Sequence, residues 1–126
     1  MDVRILVPGN HTDAIPVQYA GRGFYEELLQ AGVRIFEYQA SMMHAKTVVV
    51  DEVWSVVGSA NMDIRSKELN SENVLGILDT ALARELEAAF LTDLARSAEV
   101  KLDEWRKRSL WERAREQVCV LFVEQY

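Results

Sequence analysis

Two apolar runs separated by two acidic residues constrain the fold of this 126-residue chain more than any other feature. The first run ends a predicted strand over roughly 43–50, and the second forms a strand over 54–57. Asp51 and Glu52 between them form a tight turn, so the two strands are predicted to pair as a β-hairpin. The all-apolar end of the first strand is typical of a strand that is covered on both faces.

The remaining elements alternate between apolar strands and amphipathic helices. Further strands are predicted over 3–7, 33–38 and 73–78. One helix starts near residue 12 and ends at Gly32, which is suited to a C-cap, and another runs from Asp79 to about Ser97. The order β-α-β-β-β-α-α indicates an α/β sandwich with a mixed sheet. We expect a single domain over residues 1–126, with a C-terminal helical segment from about 101 to 126.

The last predicted helix carries an apolar stripe with two interpretations. Core packing is the commoner fate of such a stripe and is the preferred one. A membrane interface or a partner half-domain is the alternative, because Trp105 and Trp111 are flanked by arginines. The stripe consists of Leu110, Trp111, Ala114, Val118, Leu121 and Phe122.

A group of polar residues around the hairpin indicates phosphoryl chemistry. His44, Lys46 and Asp51 form the pattern H-x-K-x4-D. Histidine can act near neutral pH as nucleophile, base or acid. Side chains two residues apart on a strand share a face, so His44 and Lys46 are predicted to project together, with the lysine cation placed for a phosphate oxygen.

The segment after the hairpin adds neutral hydrogen-bonding groups. Ser59 and Asn61 can donate to further phosphate oxygens, and Gly58 allows a turn or a close backbone approach. Taken singly, each residue has an ordinary structural explanation as a core histidine, a solvated lysine or a turn. The combination, in a sequence without a G-x4-G-K-[ST] loop, favours phosphoryl transfer without a nucleotide-binding loop.

This stretch resembles the HKD motif of the phospholipase D superfamily. Its flank over 61–66, with Leu69, Asn70 and Glu72, is most similar to the bacterial cardiolipin synthase branch. The similarity also covers residues 3–9, the pattern His11-x-Asp13, and residues 28–35, 104–106 and 110–111. It matches the C-terminal catalytic half of such an enzyme. The resemblance implies a phospholipase D-like α/β/α sandwich, built as one HKD half-domain.

The resemblance also implies roles for individual residues. His44 would be one of two active-site histidines, of which one forms a phosphohistidine and the other protonates the leaving alcohol. Lys46 would hold phosphoryl oxygens together with Ser59 and Asn61. Glu72 would hydrogen-bond the histidine and fix its tautomer, completing a catalytic set of His44, Lys46, Asp51 and Glu72. Asp51 is expected to act more structurally, by closing the strand end. No metal or other cofactor is implied, because H-x-K offers only one ligand.

Two further residues are possible secondary members of the site, as is Gly58. Arg65 could meet anionic groups or form a structural ion pair, and the sequence favours neither. His11 follows a predicted strand, where a surface histidine is the preferred interpretation and a position at the rim of the site is the alternative.

The function implied is a phosphatidyltransferase of the cardiolipin synthase type, with phosphatidylglycerol as both donor and acceptor. With water as acceptor, the same site would be a phospholipase D. The alternatives are a homodimeric phosphodiesterase, acting on phospholipids or as a nuclease, and an inactive half-domain that needs an N-terminal partner. The net charge of −6 argues against a nucleic acid partner.

The mechanism that the resemblance implies requires two active-site histidines, whereas the chain contains one copy of the motif. The second half-domain is expected either N-terminal in a longer protein, which the abrupt start on a core strand favours, or in a second copy of the chain. The longest apolar run is far short of the ~20 residues of a membrane span. The resemblance implies a bacterial cell-membrane protein on the cytoplasmic side, which would then be peripheral or anchored by segments outside this chain.

Three positions depart from the family pattern. Glu52 stands where the family often has glycine, so the turn is expected to be strained or one residue different. Lys67 replaces a residue that is usually aromatic, so a lipid-facing or packing contact of the family is expected to be lost and the substrate detail is not determined by the resemblance. Ser109 replaces a frequent proline, which blurs the predicted start of the last helix.

Overall fold

Two three-stranded sheets organise the computed structural model, which describes residues 1–10, 21–59, 73–114 and 118. The chain divides into two compact units, one made of residues 1–43 and 94–126 and the other of residues 44–93. The elements in chain order are β1 (Arg4–Pro8), α1 (Tyr25–Gln30), β2 (Arg34–Tyr38), β3 (Thr47–Val50), β4 (Trp54–Gly58), β5 (Val74–Leu78), α2 (Thr80–Leu94), β6 (Ser97–Val100) and α3 (Leu102–Arg106).

The first unit contains a mixed sheet in the order β1-β2-β6. β1 and β2 are parallel, with Arg4 opposite Arg34, and α1 lies between them in sequence. Gly32 has a φ of 85°, and its N–H donates to the carbonyl of Leu29 at 3.1 Å, while the N–H of Val33 donates to Leu28 at 3.0 Å. These two bonds form a Schellman motif, which confirms the predicted glycine cap.

A small aromatic and aliphatic cluster forms the core of this unit. Tyr25 of α1 and Trp105 of α3 lie with ring centroids 4.9 Å apart, and Ile35 of β2 is almost fully buried beside them. Because offset or tilted aromatic pairs add to the free energy gained from their buried area, this contact holds α3 against α1.

The strand β6 was not expected from the sequence, and the predicted helix to Ser97 is too long. The helix ends at Leu94, and Ser97–Val100 pairs antiparallel with β2. The guanidinium of Arg34 donates to the carboxylate of Glu99 at 2.8 Å, which lowers the pKa of Glu99 and raises that of Arg34. Pairing with the free edge of β2 therefore overrides the local preference of these few residues.

The second unit is an antiparallel sheet in the order β3-β4-β5, followed by α2. Asp79 caps α2 as expected, because its Oδ1 accepts a hydrogen bond from the N–H of Leu82 at 2.8 Å. Ala83 on the first turns of α2 is fully buried. The α/β class with a mixed sheet is confirmed, but the hairpin strands form this second sheet rather than part of the mixed one.

The start of the last helical segment is sharply defined, contrary to the expectation at Ser109. The hydroxyl of Ser109 accepts from the N–H of Glu112 at 3.3 Å, and the Glu112 carboxylate accepts from the N–H of Ser109 at 3.2 Å. This reciprocal pair is a capping box and fixes the first helical turn, which runs over 110–114. Within the described ranges, no helix is long and apolar enough to cross a membrane.

Candidate active site

The hairpin turn between β3 and β4 is closed by two residues in the left-handed region. Asp51 and Glu52 have φ values of 50° and 54°, and the N–H of Val53 donates to the carbonyl of Val50 at 3.1 Å. Positive φ at both central positions is the requirement of a type I′ turn, for which glycine is preferred at the second position. The expectation that Glu52 strains this turn is confirmed.

The other end of the hairpin brings two parts of the motif together. The N–H of Gly58, at the end of β4, donates to the carbonyl of Lys46 at 3.2 Å. The backbone of Lys46 is thereby held next to the Gly58-Ser59 segment, although the two are twelve residues apart in the sequence. Of the predicted site residues, the structure thus brings together Lys46, just before β3, and Gly58, at the end of β4.

Gly58 lies where no side chain fits. A Cβ at this position would be 2.4 Å from the carbonyl oxygen of Asn73 and 3.0 Å from the Cα of Val74. Such distances require the backbone of β5 to move. The predicted close approach at Gly58 is confirmed, and it brings a third segment, the start of β5, to the same place.

Ser59 makes two hydrogen bonds with one residue of that third segment. Its N–H donates to the carbonyl of Asn73 at 3.0 Å, and its Oγ accepts from the N–H of Asn73 at 3.1 Å. Asn73 directly follows Glu72 in the sequence. The sequence did not single out Asn73, because its contributing atoms are main-chain atoms and no residue type signals them.

His44 and Lys46 precede β3 instead of lying on it, so the predicted strand from about Met43 starts too early. β3 begins at Thr47, and the last backbone bond toward β4 is the one at Lys46. The register of β3 with β4 ends at Thr47 opposite Val57. His44 is exposed and Lys46 is partly buried.

Asp51 lies at the opposite end of the hairpin from Lys46 and Gly58. It lies five positions after Lys46 along the strand, or about 16 Å at ~3.3 Å per residue. The structure therefore does not bring Asp51 to the end where the other motif residues meet, and its observed position is in the turn. The predicted site residues His11, Asn61, Arg65 and Glu72, like Lys67, lie outside the described residues.

The surroundings of this strand end are apolar and poor in cations. Val57 and Leu75 are paired across β4 and β5, Val74 is paired with Gly58, and all three apolar side chains are exposed. Over residues 41–59 and 73–79, Lys46 is the only lysine or arginine. The intervening residues 60–72, outside the described ranges, add Arg65 and Lys67 in the sequence, together with three acidic residues.

Comparison with known proteins agrees with the fold and the motif. The family described as "Cardiolipin synthase, PLD-like domain" matches residues 1–94. Cardiolipin synthase A of Proteus mirabilis is 40% identical over 122 residues, covering 97% of this chain and 25% of the relative. Cardiolipin synthase A of Yersinia pseudotuberculosis is 39% identical over the same length and coverage. The chain thus spans about a quarter of the length of these curated relatives.

A solved structure has the same fold. The crystal structure of a phospholipase D family member, Nuc from Salmonella typhimurium, superposes with a TM-score of 0.65 at 21% sequence identity, covering 80% of this chain and 65% of Nuc. Fold and motif together define a phospholipase D-like domain. Within that class, the chain belongs to the cardiolipin synthase family of such domains, because the family match extends over most of its length.

Proposed function

We propose that this chain is a catalytic half-site of a phosphatidyltransferase of the cardiolipin synthase type. The observation that carries the proposal is the hydrogen bond between Gly58 and Lys46, which joins the two parts of the motif at one strand end. A nucleophilic histidine, a cation and a hydroxyl-bearing segment next to each other are the parts that phosphoryl transfer requires.

The reaction proceeds in two displacements at phosphorus. One active-site histidine attacks the phosphorus of phosphatidylglycerol, the bond to the glycerol oxygen breaks, and the second histidine gives that oxygen its proton. The terminal hydroxyl of another phosphatidylglycerol then loses its proton to the second histidine and attacks the phosphohistidine. The products are cardiolipin and glycerol, and both histidines return to their starting state.

Within this scheme, His44 is one of the two histidines. Lys46 binds the negative phosphoryl oxygens, together with the hydroxyl of Ser59 and the amide of Asn61. Glu72 orients the imidazole through its other ring nitrogen. Asp51 serves the hairpin turn rather than the phosphate, in keeping with its φ of 50° at the far end of the strands.

The second histidine comes from another half-domain. Either an N-terminal half of a longer protein or a second copy of this chain supplies it. The relatives' greater length supports the first source, since the chain corresponds to a quarter of them. The protein acts at the bacterial cell membrane, on the cytoplasmic side, where its lipid substrate lies.

A phospholipid is favoured over a nucleic acid by the charges near the motif. Nucleic acid sites use several lysines or arginines along the backbone path. Here residues 41–79 contain three lysines and arginines against six aspartates and glutamates, and Val74 and Leu75 of β5 are exposed. The net charge of −6 acts in the same direction.

The proposal is tested with phosphatidylglycerol labelled in its headgroup glycerol, dispersed in detergent, while light scattering gives the number of chains per particle. The wild type is compared with His44→Ala and Lys46→Met, and Lys101→Met in the other unit is the matched control for loss of an exposed lysine. We expect either of the first two variants to lower glycerol release by about 10³-fold or more. Lys101→Met should be unchanged.

The product and the assembly state decide between the alternatives. A dimer that makes cardiolipin, or a monomer that makes it only after addition of a second phospholipase D-like half, supports the proposal. If phosphatidic acid were the only product, the enzyme would be a hydrolase and not a transferase. Cleavage of single-stranded DNA without turnover of phosphatidylglycerol, or no turnover in either assembly, would overturn it.

A further inference from the structure

The apolar stripe of the last helical segment is exposed at every position that the structure describes. Leu110 is 82% exposed, Trp111 84% and Val118 51%, and Ala114 is exposed as well. The preferred sequence interpretation, core packing, is therefore wrong for these residues. Trp105, in contrast, is 7% exposed and packs on Tyr25, so the two tryptophans serve different purposes.

The exposed tip, formed by Leu110 and Trp111, is held by hydrogen bonds on both sides. The capping box between Ser109 and Glu112 fixes Leu110 and Trp111 in the first helical turn. A guanidinium nitrogen of Arg113 donates to the carbonyl of Arg106, which ties this turn to the end of α3. A large apolar pair held outward in this way is typical of a surface that binds something.

The residues around this tip carry an excess of positive charge, which favours an anionic partner. Residues 101–114 contain five lysines and arginines against three acidic residues, in a chain whose net charge is −6. Lys107, three residues before Leu110, is exposed. Leucine and tryptophan flanked by basic residues are the composition of helices that lie in the interface of an anionic bilayer.

We propose that Leu110 and Trp111, flanked by Lys107, form a contact site for the anionic phospholipid bilayer. This inference rests in part on the proposed function, because a phosphatidyltransferase must meet its substrate in a membrane. The tryptophan ring lies at the headgroup level with its apolar body toward the acyl chains, and the leucine inserts beside it. The lysine contacts lipid phosphates.

Binding is measured without catalysis, by sedimentation of the purified chain with vesicles. One set contains phosphatidylglycerol mixed with phosphatidylcholine, and the other contains phosphatidylcholine alone. We expect the double variant Leu110→Ser with Trp111→Ser to bind the anionic vesicles about tenfold less tightly or weaker. Lys107→Gln should lower the affinity by about fivefold.

The matched control is Leu78→Ser on β5, which removes a leucine of similar exposure, 78%, from the other unit. It should leave binding unchanged. Circular dichroism and the urea midpoint check the fold of each variant, and both should be as in the wild type because the changed side chains are exposed. A second readout is tryptophan emission, which should shift to the blue on anionic vesicles and do so less in Trp111→Phe.

Several outcomes would overturn the inference. The double variant could bind anionic vesicles as tightly as the wild type, or the wild type could bind phosphatidylcholine vesicles as tightly as anionic ones. The blue shift could be unchanged in Trp111→Phe. The chain could also dimerise through Trp111 without binding vesicles. The proposed function is tested separately: His44→Ala should bind vesicles normally, and the double variant should still turn over phosphatidylglycerol dispersed in detergent. If the double variant lost turnover in detergent but bound vesicles like the wild type, Leu110 and Trp111 would serve the reaction and not docking.

Discussion

Ser59 and Asn73 are joined by two reciprocal hydrogen bonds, one between main-chain groups and one from the Asn73 N–H to the Ser59 hydroxyl. The pair closes the gap between the end of β4 and the start of β5, beside the point where Gly58 meets Lys46. Ser59 therefore has a structural contact in addition to its proposed contact with phosphate. Both uses are compatible, because a hydroxyl can accept one hydrogen bond and donate another.

Replacing Ser59 should affect stability and turnover differently. Ser59→Ala removes the acceptor of the Asn73 N–H, and because Ser59 is exposed, water replaces much of that bond. We expect a loss of about 0.5–1 kcal/mol in the free energy of unfolding, measured by urea denaturation. Under the proposed function the hydroxyl also stabilises the transition state, so turnover of phosphatidylglycerol should fall more than tenfold, through kcat.

Ser59→Thr is the matched control because it keeps the hydroxyl. It should retain the stability and most of the turnover. If Ser59→Ala lost stability and kept full turnover, the role of Ser59 would be limited to the contact with Asn73.

Gly58 should tolerate no side chain. Gly58→Ala places a Cβ against the carbonyl of Asn73 and the Cα of Val74, so β5 must shift. We expect a loss of about 1–3 kcal/mol in unfolding free energy, and reduced turnover because the same shift moves the strand ends apart. Thermal or urea unfolding measures the first effect.

Gly21→Ala is the control for the loss of a glycine. A Cβ at Gly21 has no neighbour within 4 Å, and this residue is helical, so alanine should leave stability equal or raise it by up to ~1 kcal/mol. Equal effects at the two glycines would contradict the close approach at Gly58.

Glu52→Gly should stabilise the hairpin. Glu52 holds a φ of 54°, which costs a residue with a side chain roughly 1 kcal/mol and glycine very little. The change also removes an ion pair with Arg84 at 3.3 Å, but the two side chains are 53% and 67% exposed, so that pair contributes little. We expect a net gain of about 0.5–1 kcal/mol in unfolding free energy.

Arg84→Ala measures the contribution of the Glu52–Arg84 ion pair to stability separately from the strain of the turn. It removes the same salt bridge and leaves the turn unchanged, so stability should change by less than ~0.5 kcal/mol. A destabilised Glu52→Gly, together with a clearly destabilised Arg84→Ala, would mean that the ion pair outweighs the strain of the turn.

The features predicted correctly from the sequence are those set by local signals. The two acidic residues between apolar runs gave the hairpin, Gly32 gave the end of α1, and Asp79 gave the start of α2. Each depends on backbone conformation or a bond within a few residues, which residue type controls directly.

The features missed depend on partners distant in the sequence. Ser97–Val100 is a strand because β2 offers an edge to pair with. The start of β3 at Thr47 is likewise set by its register with β4, where Thr47 lies opposite Val57. The stripe at Leu110 shows that amphipathic spacing identifies an apolar face without identifying what covers it. At the candidate site, the motif singled out His44 and Lys46. It did not single out Asn73, because Asn73 contributes main-chain atoms, which no residue type signals.

Ser55 provides a test of the packing in the second unit. It lies in the middle of β4, is fully buried, and its Oγ has no hydrogen-bond partner among the described residues. Its cross-strand neighbours Val49 and Ile77 are apolar, so the hydroxyl loses water without a replacement bond. Ser55→Ala should therefore raise the free energy of unfolding, by about 1 kcal/mol, measured as the urea midpoint at constant slope.

Ser41→Ala, at an exposed serine, is the control and should change the midpoint little. A clear destabilisation of Ser55→Ala would contradict the environment described here and would mean that the hydroxyl has a bonding partner. Turnover should not change in either variant, because Ser55 lies three residues before Gly58 and its side chain is buried within the sheet rather than exposed at the strand end.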